Sequence, residues 1–237
     1  MEIMDRVILI TGATGGLGRV VSQSFAQAGA RLALVGTNPE KLTKLEQELQ
    51  LSPDRVLSYA VNLIQPDSAA VLRDAILAKF GRADILLHFV GGWIGGKPLI
   101  QVPTQEVSSM LDQHVWTTFH LVQAFVPELL KNNWGRVIVV SSPVVLKPPV
   151  NTAPYTIAKS GEEALILSLA EELKYSGVTA NILHVRTIDI KHERDTSPTP
   201  KNASWTTPEE ITATINYLCS DEAGAVNGAR LPLYGSM

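Results

Sequence analysis

Six short apolar runs, each followed by a longer helical pattern, leave this chain very few folds. The runs are 6–11, 31–36, 55–61, 84–90, 135–141 and 178–185. Most are apolar throughout rather than alternating, as in strands covered on both faces. Helical patterns occupy 17–28, 39–50, 66–80, 104–131, 154–176 and 207–220. Gly29 and Gly177 stand where helices stop, and Pro127 is placed to kink the long fourth pattern. Such alternation predicts a parallel sheet with helices on both faces. Right-handed crossovers make it a doubly wound α/β domain. With no internal repeat and no dividing linker, residues 1–237 are expected to form one domain. The irregular stretch "RTIDIKHERDTSPTPKNASW" (186–205) is too long for a simple connection, so 186–206 reads as a substrate lid.

Composition narrows the function. The chain is 45% hydrophobic and 18% charged, with net charge −3 and no basic stripe, so nucleic acid is not an expected partner. Cys219 is the single cysteine, which precludes an internal disulfide and suits a reducing compartment. The five histidines lack metal-ligand spacing, so no metal is expected. The apolar run near the N-terminus is too short for a signal peptide or a membrane span. A soluble, cytoplasmic protein is expected.

The stretch "VILITGATGGLGRVV" reads strand, glycine turn, helix. Gly12 permits the tight turn, Gly16 lets backbone approach a pyrophosphate, and Gly18 lets the helix pack closely. The helix N-terminus then offers N–H groups and the positive end of its dipole to phosphates.

A second stretch, "PYTIAKSG", sets Tyr155 and Lys159 four residues apart, on one face of a helix. An ammonium beside a phenol favours phenolate and lowers a pKa that is otherwise about 10. Ser142 lies thirteen residues before Tyr155, just after the run "GRVIVVS". With the spacing T-G-x-x-x-G-x-G from Thr11 to Gly18, these residues make the chain resemble the short-chain dehydrogenase/reductase family over essentially its whole length.

The resemblance implies a Rossmann fold of about seven strands and an NAD(P)-dependent oxidoreductase of the carbonyl reductase type. It makes Tyr155 the acid/base, Lys159 its activator and ribose ligand, and Ser142 the group that holds the substrate oxygen. Thr11, Gly12, Thr14, Gly16, Leu17, Gly18, Thr37, Asn62, Leu63, Gly91 and Ile188 become cofactor contacts, together with Tyr155 and Lys159. His114 replaces an asparagine that in relatives helps hold a water connecting the lysine to solvent, so it joins the catalytic candidates.

Other positions depart as well. The usual N-N-A-G reads His88-Phe89-Val90-Gly91, the usual P-G reads Val185-Arg186, and a nicotinamide-contacting threonine is Ile190. Segments 91–99, 187–190 and 204–211, and the ending "LPLYG", resemble a dihydropteridine-reductase-like subgroup. That likeness points to Trp93, Trp116 and Trp205 near a flat substrate. Arg186, at the end of the sixth strand, either grips an acidic group of a substrate or pairs with Glu193 or Asp195. Gly36-Thr37-Asn38 carries no acid for a ribose 2′-hydroxyl, which favours NADP over NAD. The resemblance also implies a homo-oligomer, tetramer or dimer, paired through 104–131 and 154–176. Two rival readings share these motifs: a non-catalytic NAD(P)-binding sensor or scaffold, and a sugar-nucleotide epimerase, for which the C-terminal region is short.

Overall fold

The structure, a computed structural model, describes residues 3–234. Seven strands form one parallel sheet in the order β3-β2-β1-β4-β5-β6-β7. They are β1 (Val7–Thr11), β2 (Arg31–Gly36), β3 (Val56–Ala60), β4 (Ile85–His88), β5 (Gly135–Ser141), β6 (Val178–His184) and β7 (Arg230–Pro232). The helices are α1 (Gly16–Gln27), α2 (Pro39–Leu49), α3 (Ser68–Phe80), α4 (Thr104–Leu111), α5 (Thr117–Lys131), α6 (Ala153–Glu172), α7 (Glu193–Thr196) and α8 (Pro208–Leu218). This is the doubly wound Rossmann architecture that the alternation implied.

The strand period of two divides the interior into two cores. From β1, Val7 and Leu9 face a cluster with Leu72 and Ile76 of α3, Leu121 and Phe125 of α5, and Ile166 and Leu169 of α6. Ile8 and Ile10 face the other side, with Val21 and Phe25 of α1, Leu42 and Leu45 of α2, and Ile211 and Ile215 of α8. Covering both faces explains why the central strands read as unbroken apolar runs.

Two expectations need correction. The pattern over 104–131 forms not one helix but α4 and α5, joined by a π-helical turn over Asp112–Trp116. Just after this turn, Thr117 and Thr118 donate their hydroxyls back into it, to the carbonyls of Gln113 (2.7 Å) and His114 (2.6 Å). Such back-bonding bends helices. The irregularity therefore falls beside His114, whereas Pro127 lies inside α5, which runs on to Lys131.

Segment 186–206 is also less irregular than its composition suggested. Ile188 bridges to Thr206, and the buried Asp189 carboxylate accepts the amides of Glu193 and Arg194, both at 2.8 Å, at the start of α7. Arg194 reaches Glu210 of α8. β7, at the sheet edge, is too short and polar to stand out as a run; Gly235 of "LPLYG" lies outside the described residues.

At the N-terminal edge of the sheet, Asp84 is fully buried and accepts from Val7 N (2.9 Å) and Arg82 Nε (3.0 Å). Arg6 and Arg136 both approach Trp134, with guanidinium carbons 3.5 Å and 4.3 Å from its ring centroid. Arg136 donates from Nη1 to the carbonyls of Gly135 and Gly177 and from Nη2 to that of Ser220. These polar groups close the end of the sheet opposite to the site described next.

Candidate active site

The strand order reverses between β1 and β4, because β1 is followed in sequence by a strand on one side and flanked by β4 on the other. Ligands in doubly wound sheets bind outside the carboxyl ends of the strands at such a point. There the chain builds a cleft in two compartments of about 260 and 370 Å³.

Between them lies the glycine loop. Gly12 has φ +70°, a conformation that favours glycine, and a Cβ there would stand 3.0 Å from the Phe89 carbonyl group. A Cβ on Gly18 would be 2.3 Å from the Gly12 carbonyl oxygen. Gly18 is thus what lets α1 start directly behind the turn. Gly15 caps α1 without a side chain, so the amides of the first turn remain directed at the cleft. This cradle fits a dinucleotide pyrophosphate. Ile190 covers part of it: its Cδ1 would be 2.4 Å from a Gly16 Cβ. The Ile190 side chain is 57% exposed, so it has room to yield to a phosphate.

The expected cofactor contacts distribute along the cleft. Gly12, Gly16, Leu17, Gly18 and Ile188 line one compartment with His114, Tyr155, Lys159 and Arg186. Thr14, Thr37, Asn62 and Leu63 line the other, and Gly91 borders both. Asn62 Oδ1 accepts the Ile64 amide (3.2 Å), which leaves it a second lone pair. Thr11 lies beneath the loop and hydrogen-bonds His88 Nδ1 at 2.7 Å. His88 Nε2 approaches Thr117 Oγ1 at 3.4 Å. Since Thr117 donates to Gln113, the ring donates from Nε2 and accepts at Nδ1. Burial, with the Lys159 charge, pulls the His88 pKa down to about 3, so it is neutral. The departure at position 88 is a neutral bridge between β1, β4 and the start of α5.

Ser142 follows β5, and Tyr155 and Lys159 stand one turn apart near the start of α6. The Ser142 hydroxyl lies beside the Tyr155 phenol and favours its ionised form. Lys159 Nζ donates to the Val140 carbonyl (2.7 Å) and to Glu162 Oε2 (2.6 Å). Glu162 is 1% exposed. Its Oε1 lies 3.2 Å from Thr118 Oγ1, whose hydroxyl also reaches the His114 carbonyl. Burial holds the Glu162 carboxyl above its ordinary range, with Lys159 pulling the other way.

This pairing overturns one expectation. Lys159 does not draw the phenol towards neutrality in this structure. Burial and the Glu162 charge push Tyr155 up to about 12, against a smaller opposing effect of the neighbouring Ser142.

His114 packs edge-on to Tyr155, with ring centroids 5.6 Å apart. Its Nε2 donates to the Gly92 carbonyl (3.0 Å), and its buried Nδ1 has no partner. Burial, then the Lys159 charge, lowers its pKa to about 4, against the Gly92 bond. Its Cε1 would be 2.3 Å from a Cβ on Gly91, so glycine at 91 is what admits a histidine at 114.

Arg186 is exposed on the cleft rim, with its guanidinium 5.7 Å from the Tyr234 ring, while Asp195 is bonded by Arg194. The tryptophans are not brought to the cleft wall. Trp93 lies over Gly95 beside the Asn151 carbonyl, and Trp205 is held through its backbone by Asn202 and Arg194. Trp116 stacks with His120 and meets Phe119 edge-on, on the outer side of α5. Cys219 is buried, and burial pushes its thiol up, so it is no nucleophile.

The sequence reading missed Glu162. Positions 155, 159, 162 and 166 form one helical stripe, and Ile166 is fully buried, so the spacing could have placed Glu162 beside Lys159. It also missed Glu163, which accepts from Ser141 Oγ (2.5 Å), His184 Nε2 (2.8 Å) and Arg230 Nε (2.7 Å). These bonds fasten α6 to the ends of β5, β6 and β7 beneath Ser142 and Tyr155. Burial pushes the Glu163 carboxyl up, but the three donors outweigh it and hold it below its ordinary range.

Comparison with known proteins agrees with this geometry. The short chain dehydrogenase model matches residues 6–201. The chain belongs to that family of nicotinamide-dependent oxidoreductases. It is 26% identical over 257 residues to the D-beta-hydroxybutyrate dehydrogenase of Rhizobium meliloti (strain 1021), covering 98% of each chain. It is 25% identical over 248 residues to a 3-oxoacyl-[acyl-carrier-protein] reductase of Thermotoga maritima, covering 100% of this chain and 99% of the other. A solved short-chain type dehydrogenase/reductase from Mycobacterium ulcerans superposes with TM-score 0.89 at 25% identity, covering 98% of this chain and 90% of that one.

Gly18→Ala should weaken NAD(P)H binding at least tenfold and lower the melting temperature. The added methyl meets backbone rather than a movable side chain, and such overpacking costs about 1–3 kcal/mol. Cofactor fluorescence titration and thermal unfolding check this; wild-type affinity would show that the Gly12–Gly18 approach is not what shapes the cradle.

Proposed function

We propose that this chain is a carbonyl reductase, or alcohol dehydrogenase in reverse, with Tyr155 as the acid/base, Ser142 as the oxygen-holding group and Lys159 as the ribose ligand. The observation that carries this reading is that Tyr155 and Lys159 face one cleft with the glycine loop, with Ser142 following β5 beside the phenol. A nicotinamide cofactor, when bound, supplies or removes the hydride. The residues handle the proton and the oxygen. Tyr155 releases its proton to the carbonyl oxygen as that oxygen becomes an alkoxide, and recovers it from the alcohol in reverse. Ser142 donates to the same oxygen and stabilises its developing charge. Lys159 has three N–H groups, two of them spent on Val140 and Glu162, so one is left for a ribose hydroxyl. His114 closes the wall behind the phenol as a neutral ring.

The substrate is a small carbonyl or alcohol compound. Likeness to the dihydropteridine-reductase-like subgroup suggests a flat one. Arg186 on the rim suits an acidic substituent. Among the described residues no helix is long and apolar enough to cross a membrane, which suits the proposed cytoplasmic location. The departures at 88–91, 114, 185–186 and 190 motivate a second reading, a cofactor-binding sensor without turnover.

Tyr155→Phe should leave cofactor affinity nearly intact and reduce kcat by about 10²–10⁴-fold, the usual contribution of general acid–base catalysis. A variant keeping a third of wild-type kcat would exclude the assignment, and a wild type that binds cofactor but turns over no carbonyl panel would favour the sensor.

NADPH should bind more tightly than NADH, since Thr37 and Asn38 at the end of β2 present no carboxylate to repel a 2′-phosphate. Equal or reversed affinities in the same titration would refute this preference.

The chain should be a homo-oligomer, dimer or tetramer. Trp116, Phe119 and Ile157 expose 49%, 40% and 44% of their surface, on the π-turn, α5 and α6. Large exposed apolar groups of this kind mark association surfaces. Light scattering at micromolar concentration checks it, and a monomer there would contradict it.

A further inference from the structure

Glu162 is a carboxylate buried inside the catalytic side of the fold, and the mechanism above does not use it. It projects from α6 on the same stripe as Tyr155 and Lys159. One oxygen is 2.6 Å from Lys159 Nζ; the other is 3.2 Å from Thr118 Oγ1. A stability role alone is a weak reason for such a pair, because burying two charges costs about as much as their attraction returns.

We propose that Glu162 is a positioning residue that holds the Lys159 ammonium and neutralises it, so that the Tyr155 phenol keeps its proton and the site is set to donate one, as a reductase. This inference rests on the Ser-Tyr-Lys reading and adds a direction to it.

The physical case is electrostatic. A lone ammonium beside a phenol stabilises phenolate. With a carboxylate at 2.6 Å and the Val140 carbonyl at 2.7 Å, Nζ presents a compact dipole instead of a full positive charge. The ion pair with Lys159 favours the ionised form of Glu162 against the burial that opposes it. Its place cannot be taken by the neighbouring Glu163, whose oxygens are engaged by Ser141, His184 and Arg230 on the other side of α6. The groups facing the phenol and the pair are few. The neutral His88 of β4 and His114 of the π-turn stand near Lys159. Thr118 of α5 meets Glu162, Ser142 after β5 meets the phenol, and Arg186 after β6 faces the same cleft from its rim. Of these only Arg186 carries charge besides the pair itself.

Thr118 also explains the geometry. Its hydroxyl has one proton and two acceptors in reach, the His114 carbonyl at 2.6 Å and Glu162 Oε1 at 3.2 Å. The hydroxyl can turn to either, and when it donates to Glu162 the carboxylate oxygen accepts. Glutamine at 162 can donate its amide to Thr118 and still accept from Lys159, so Glu162→Gln removes the charge and keeps the bonds.

The test is a titration of Tyr155 in the full-length protein without cofactor or substrate. Tyrosines are labelled at the hydroxyl-bearing ring carbon, and Tyr155 is assigned by its absence in Tyr155→Phe. In wild type Tyr155 should titrate at or above about 10, the value of an ordinary phenol, despite Lys159. In Glu162→Gln it should titrate at least one unit lower, that is, with at least tenfold more phenolate at any pH below both values. A wild-type value below 10 overturns the proposal whatever the variant does, and so does a fall of less than one unit in Glu162→Gln. A merely structural Glu162 would lower the melting temperature and leave the titration in place. Should Glu162→Gln not fold by circular dichroism, Glu162→Asp, which only withdraws the charge from Nζ, takes its place with a fall of half a unit or more required. If Tyr155→Phe retains turnover, the site reading has failed; if it is inactive and the titration is unmoved, only the role of Glu162 has.

Discussion

Parallel pairing of β1 with β4, Ile8 opposite Ile85 through Thr11 opposite His88, is the constraint on which the rest of the molecule depends. It puts the ends of two strands side by side where the crossovers turn away in opposite directions. A crevice is left that no helix fills. The glycine loop enters it from β1, and Phe89 to Gly92 enter it from β4. Their backbones come so close that a Cβ at Gly12 would meet the Phe89 carbonyl group. The Thr11–His88 hydrogen bond ties the two strand ends together from below.

The second strand pair, β5 with β6, does similar work for the chemistry. Ser142 leaves the end of β5 and Arg186 the end of β6, while α6 crosses beneath them with Tyr155 and Lys159. Two adjacent glutamates fasten that helix. Glu163 bonds outward to Ser141, His184 and Arg230, and Glu162 bonds inward to Lys159 and Thr118. A helix docked only by apolar contacts has no such fixed register for a phenol and an ammonium. The polar clamps cost desolvation, which their hydrogen bonds largely return, and what they add is position.

Around this centre the departures from the family pattern compensate one another. His88 and His114 are both buried and neutral, and each has a partner where a smaller amide would leave space: Thr11 for one, Gly92 for the other. The π-turn over Asp112–Trp116 brings His114 against Gly91, and Gly91 has no Cβ to obstruct it. The neutral histidines leave Lys159 and Glu162 as the charges that govern the phenol from within.

Much of this was legible in the residues. Uniformly apolar runs alternating with helical patterns dictated a parallel sheet covered on both faces, because such strands have no solvent face to fill with polar side chains. Glycines at 12, 16 and 18 and the Ser142, Tyr155, Lys159 spacing carried the family and the cleft, since local backbone freedom and helical periodicity depend on neighbours in sequence. The break at the π-turn was not legible, because it follows from hydroxyl bonds that compete with the helix's own. Nor was the state of Tyr155. A phenol's pKa depends on every charge within several ångströms. Glu162, seven residues along the helix, becomes its neighbour's counter-charge only when α5 and the sheet close over α6 and exclude the water that would otherwise screen it.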